Sequence, residues 1–194
     1  LFIHIHKTAG TSITRALQAI PGTRPLFHPH SLMMHAPLTE EQNALFKFAF
    51  VRNPWDRLLS WYNMIRNKGP TNRFMSYVLE NSRSFSEFLD CVDEIAETDD
   101  PTDSAIPYWK SIAYNQLDYI STPDGRLNID FVGRFETLNH DFAAVCRRLD
   151  LGAITLEHTN RYEHAPYRSY YTDCDIEKVR RLYARDIRHF GYEF

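Results

Sequence analysis

Apolar and polar positions alternate along the chain in a way that sorts it into short strands and longer helices. Leu1–Ile5 is a short apolar run that stops at the polar stretch His6-Lys7-Thr8-Ala9-Gly10-Thr11-Ser12. Ile13, Ala16, Leu17 and Ile20 then fall at helical spacing, so the opening reads strand, tight polar loop, helix. Residues 21–37 form a loop bearing His28, His30 and His35. Lys47–Val51 reads as a second buried strand that ends at Arg52-Asn53-Pro54, where Asn53 suits an N-cap and Pro54 a first helical position. The following helix presents Trp55, Leu58, Leu59, Tyr62 and Ile65 as its core stripe. Residues 72–95 predict two short helices with a break near Ser82–Ser84, and residues 97–104 an exposed acidic loop. A Tyr-rich helix is predicted over 105–120, a turn at Pro123-Asp124-Gly125, and a third strand over Phe131–Phe135. A helix over about 138–149 follows, and a single C-terminal helix from Thr172 or Asp173 carries Ile176, Val179, Leu182, Tyr183 and Ile187. Strands separated by helices predict one three-layer α/β domain over residues 1–194 with a mostly parallel central sheet. Ligands of such sheets bind at the carboxyl ends of the strands, where Lys7 and Arg52 both fall.

Composition narrows the classes. With 194 residues, 43% hydrophobic, the chain is sized for one globular domain. The 22 basic and 25 acidic residues leave a charge of −3, which argues against bulk electrostatic binding of nucleic acid and requires any anion to be held by a local site. No apolar run approaches the roughly 20 residues of a membrane span. Cys91, Cys146 and Cys174 are widely spaced and read as reduced thiols. With no signal-like segment, these features favour a cytoplasmic protein and leave a trimmed lumenal or anchored one open.

The first loop carries the most chemistry. A strand–loop–helix unit with Gly10, Thr11 and Ser12 at the helix start offers free backbone amides and the positive end of the helix dipole, to which Lys7 adds a full charge and Thr8, Thr11 and Ser12 add hydroxyls. Its spacing differs from a Walker A loop, where Lys directly precedes the Ser/Thr. The second strand ends in Arg52, whereas a magnesium-dependent nucleotidase places an acidic metal ligand in such a position. Arg52 with Ser60 suits a second anionic group; a structural salt bridge for Arg52 and a packing role for Ser60 account for the same residues equally well.

Together, His4-Ile5-His6-Lys7-Thr8-Ala9-Gly10-Thr11-Ser12 and Arg52, Asn53, Pro54, Arg57, Ser60 and Tyr62 resemble the two signatures of the carbohydrate-type sulfotransferases. The resemblance continues through Gly133-Arg134-Phe135-Glu136-Thr137-Leu138 to Tyr170-Tyr171 and Phe190-Gly191-Tyr192. It implies a P-loop-like sulfotransferase fold and 3′-phosphoadenosine 5′-phosphosulfate as donor, without a metal. The phosphosulfate would lie in the loop Lys7, Thr8, Ala9, Gly10, Thr11, Ser12, and the 3′-phosphate at Arg52 and Ser60. Lys7 would stabilise the leaving phosphate oxygen, and His35 would be the base for the hydroxyl of a carbohydrate acceptor, with His28 and His30 as rivals. The resemblance departs at His6, where the family usually has Pro. Residues 158–162 and Pro166-Tyr167-Arg168 resemble the segment that closes over the nucleotide; Arg161 and Arg168 there read equally as surface arginines. Tyrosines 108, 114, 119, 162, 167, 170 and 171 are candidates for stacking on an acceptor. The competing functions are a P-loop kinase of a small metabolite and a nucleotide-binding protein without transfer activity.

Overall fold

Four consecutive residues, Phe48–Val51, are all buried, as befits a parallel strand covered on both faces. In the computed structural model, which describes residues 1–25, 29–98, 109–157 and 165–194, this strand (β2) lies between β1 (Phe2–Ile3) and β3 (Phe131–Arg134). Both pairings are parallel, with Ile3 opposite Ala49 and Val51 opposite Arg134. The protein is therefore α/β, with nine helices among the described residues.

The chain divides into two compact units, Leu1–Arg52 with Gln116–Arg161 and Asn53–Asn115 with Tyr162–Phe194. The first holds the sheet. Phe48 and Phe50 of β2 pack with Ile13 of α1 (Gly10–Gln18) and with Phe142, Val145 and Cys146 of α7 (Leu138–Arg148). Gly133 on β3 is required by close approach: a Cβ there would stand 2.4 Å from the Phe50 ring. The unit also contains α2 (Glu40–Asn43), closed by a Thr39–Gln42 capping box, and α6 (Gln116–Ile120), all five of whose residues are buried.

The second unit is helical. Asn53 caps α3 (Pro54–Lys68), its Oδ1 accepting from the Trp55 amide at 3.1 Å, and Pro54 occupies the first turn. Residues α4 (Arg73–Asn81) and α5 (Phe85–Glu97) are separated at 82–84, because Ser84 with Glu87 forms a capping box that starts a new helix. The buried face of α3 includes Trp61 and Arg57, whereas Tyr62 is only half-buried, its ring against Phe85 and Phe88. Asp90 and Asp93 of α5 pair with Lys178 and Arg181 of α8 (Asp173–Leu182), the second pair at 2.6 Å.

Two expected helices end differently. Of the predicted helix over 105–120, residues 105–108 lie outside the described residues and 109–115 form turns. The Ile112 carbonyl, which a helix would offer to an amide four residues on, instead accepts from the Tyr183 hydroxyl at 2.6 Å, and the Tyr114 carbonyl accepts from Arg57 Nη1 at 3.2 Å. The predicted C-terminal helix breaks at Tyr183 into α8 and α9 (Ala184–Phe190). Tyr183 is buried, and burial raises its phenol's pKa, so the hydroxyl stays a donor to Ile112. The acidic loop lies almost wholly outside the described residues. Among those residues, no helix is long and apolar enough to cross a membrane.

Candidate functional site

The three parallel strands deliver three segments to one edge of the sheet: the loop after Ile3, Arg52 after Val51, and Phe135 after Arg134. That edge is where an α/β sheet binds its ligands.

The first loop is a strained concavity. Lys7 has φ 66° and Ala9 φ 69°, with Thr8 between them at negative φ. Left-handed conformations cost L-residues on the order of 1–2 kcal/mol each. Their alternation turns successive amides toward one side, the geometry of an anion-binding nest. Ala9 is also the N-cap of α1 and makes no side-chain cap, so the positive end of the α1 dipole faces this loop. Thr8 departs from the expected role: it is fully buried and its hydroxyl donates to the Ile5 carbonyl at 3.0 Å, tying the loop to the strand. The Thr8 hydroxyl proton is thus spent within the loop. Thr11 is exposed and Ser12 half-buried at the helix start. Gly10 is fixed by crowding, since a Cβ there would lie 1.8 Å from the His4 imidazole.

Histidines pack beneath the loop. The His6 ring stacks on His30 at 3.5 Å between centroids and 18° between planes, and His4 lies 4.2 Å from His30. His6 Nδ1 shares a hydrogen bond of 3.0 Å with the Tyr119 hydroxyl. This stacking and bonding hold the His6 side chain in place. Burial, followed by the charge of His30, pushes the His4 pKa down to about 3, so His4 is neutral throughout the physiological range. No group of three His, Cys, Asp or Glu among the described residues is arranged to hold a metal ion.

Arg52 meets the loop directly. Its Nη1 donates to the Lys7 carbonyl at 3.3 Å, and its guanidinium lies 3.9 Å over the centre of the Phe135 ring. Its backbone is held on both sides by one side chain: the Arg52 amide donates to Gln116 Oε1 at 2.8 Å, and Gln116 Nε2 donates to the Arg52 carbonyl at 2.9 Å. The structure therefore brings Lys7 and Arg52 together in the first unit. Gln116 and Tyr119 carry no local sequence signal, and Phe135 is visible only as part of the third motif.

Ser60 is half-buried on α3 of the second unit. His35 is exposed in a turn, its amide donating to the Leu32 carbonyl at 3.0 Å. The His30 ring stacks on His6 and lies tilted against His4. His28, Arg161, Tyr108 and Tyr162 lie outside the described residues. Arg168 is exposed, its guanidinium 5.2 Å from the Tyr167 ring centre. Tyr119 is fully buried and cannot stack on an acceptor, while Tyr171 spends its hydroxyl on the Trp55 carbonyl at 2.8 Å. Arg57, prominent in the second motif, is a buried tie to Tyr114.

A three-stranded parallel sheet flanked by helices, whose first strand opens into the Lys7–Ser12 loop and whose second is followed by Arg52, defines an α/β fold of the P-loop-like class. The sequence profile of the sulfotransferase family matches residues 1–193, and the chain belongs to that family. No curated protein and no solved structure matches the chain.

Proposed function

We propose that the protein moves a sulfuryl group from 3′-phosphoadenosine 5′-phosphosulfate to a hydroxyl of an acceptor, with a carbohydrate as the acceptor class. The observation that carries this reading is the pair Lys7 and Arg52, joined by the Nη1–carbonyl bond at adjoining strand ends, with the nest beside them. Two cationic positions suit the two anionic ends of one nucleotide. The 5′-phosphosulfate takes the loop from Lys7 through Thr8, Ala9, Gly10 and Thr11 to Ser12, and the 3′-phosphate takes Arg52, with Ser60 as its second partner. The match over residues 1–193 spans both compact units, which supports their working as one sulfotransferase domain.

In the transfer, the acceptor oxygen attacks sulfur in line with the bond to the bridging oxygen. That S–O bond breaks, and its electron pair leaves on the 5′-phosphate, where Lys7 and the loop amides stabilise the growing charge. The acceptor proton passes to His35, the exposed histidine among those described in its loop. No metal takes part in these roles. Three free cysteines, two of them buried, suit a reducing cytoplasmic setting.

Calorimetric titration with adenosine 3′,5′-bisphosphate, ADP and ATP, with and without magnesium, tests this without knowledge of the acceptor. Selective binding of the bisphosphate in the absence of metal, weakened in Arg52→Ala, is the expected result. Binding of ATP with magnesium in its place would refute the donor assignment and favour a kinase.

A further inference from the structure

Arg52 is a long, flexible side chain, and its value as a phosphate clamp depends on being held before the ligand arrives. Its backbone is held by Gln116, which is fully buried, and one guanidinium nitrogen is engaged by the Lys7 carbonyl. The Phe135 ring adds a contact to the guanidinium itself, lying 3.9 Å beneath Arg52 Cζ. This ring is itself set by register: Val51 pairs with Arg134, so the residues that follow them leave the sheet side by side. The turn after β3 is fastened by Asp141, whose Oδ2 accepts from the Arg134 amide at 2.8 Å and from the Thr137 hydroxyl at 2.7 Å. The face of an aromatic ring attracts a guanidinium while leaving its in-plane N–H groups directed outward along the edge, where a phosphate can receive them.

We infer that Phe135 is a positioning residue: it orients Arg52 so that the protein selects nucleotides bearing a 3′-phosphate over those lacking one. The inference rests on the proposed donor. Phe135 makes this selection through Arg52 and needs no contact with the phosphate. It is half-buried, so replacement by an aliphatic residue leaves the sheet intact.

The test is the ratio of affinities for adenosine 3′,5′-bisphosphate and adenosine 5′-monophosphate, which isolates the 3′-phosphate. Arg52→Ala sets the floor for that ratio. Phe135→Leu, and Phe135→Met as a second aliphatic variant, should lower it about three- to thirtyfold, the range a cation–π contact spans from an exposed to a desolvated site, with monophosphate affinity unchanged. Phe135→Tyr should restore it. Melting temperatures and far-UV circular dichroism establish that each variant is folded. A parent that prefers the bisphosphate while Phe135→Leu and Phe135→Met keep its ratio would overturn the inference and leave the donor assignment standing. Equal loss of affinity for both nucleotides would also overturn it, since Phe135 would then act on the rest of the nucleotide or on the loop. A parent without preference for the bisphosphate would overturn the donor assignment itself.

Discussion

Gly10 is the point at which the loop, the first helix and the histidine stack share space, and Gly10→Ala tests that packing. The added methyl would stand 1.8 Å from two atoms of the His4 ring, where ordinary contact begins near 3.4 Å, so the ring must retreat by about 1.6 Å. It has little room to do so, with Phe2 stacked at 5.6 Å on one side and His30 at 4.2 Å on another. Overpacking of a filled site costs about 1–3 kcal/mol. Against this, alanine gains at most about 1 kcal/mol over glycine in a helix, and the negative φ of residue 10 adds no backbone strain. A net loss of about 1–2 kcal/mol is expected, equivalent to a fall in Tm of roughly 2–8 °C for a chain of this size. Thermal unfolding of the parent, Gly10→Ala, His4→Ala and the double variant gives the coupling directly. Removing the His4 ring should make Gly10→Ala harmless or stabilising, a coupling of about 1–2 kcal/mol. A Gly10→Ala protein as stable as the parent, or strictly additive variants, would refute the packing argument.

Other outcomes follow from the same geometry. The His4 pKa falls from 6.5 in an open chain to about 3 in the fold, so between these values the unfolded chain binds the extra proton and stability rises with pH. The contribution is intact above about pH 6.5 and declines toward pH 3, amounting to about 2–3 kcal/mol lost by pH 4.5. His4→Phe should flatten this acid limb in melting curves from pH 4.5 to 7.5, and an unchanged slope would count against it. Asn53→Ala removes the α3 cap and the Nδ2 bond to the Glu193 carbonyl at 2.8 Å. Urea unfolding should show a loss of about 1–2 kcal/mol, with Asn53→Asp recovering the cap portion. In a transfer assay, Lys7→Ala should lower kcat by about 10²–10³ and weaken bisphosphate binding. His35→Ala should lower kcat by about 10²–10⁴ at unchanged bisphosphate affinity, and full activity in this variant would remove His35 from the role of base.

The elements that the sequence announced are those whose signals are local. Asn53-Pro54 starts α3 because an N-cap and its proline act within one turn, and Ser84 with Glu87 divides α4 from α5 by the same short-range logic. Alternation and apolar runs identified all three strands, and the polar break after Ile5 located the nest. The motif spacing placed Lys7 and Arg52 at strand ends, since a parallel sheet delivers every strand's carboxyl end to one edge. Helical periodicity alone misjudged 109–115 and the C-terminal helix, where Tyr183 and Arg57 capture carbonyls from far along the chain. Likewise, the face of α3 buried Trp61 and Arg57 where an apolar stripe favoured Tyr62, because Arg57 found its acceptor at Tyr114.

What the sequence determined by itself is the list of chemical groups and their order: a lysine in a loop before a helix, an arginine before a capped helix, and a third strand between them and the C-terminal helices. What only the tertiary structure decided is how those groups are held. The lock on Arg52 spans 64 positions to Gln116, and the His6 bond to Tyr119 spans 113. Side-chain hydrogen bonds and ring contacts of this kind depend on distances in space, and neither periodicity nor turn chemistry encodes distances between residues so far apart in the chain. The left-handed backbone at Lys7 and Ala9 belongs to the same class, because neither residue favours it and only the surrounding packing and the tie from Thr8 to Ile5 make it the stable conformation.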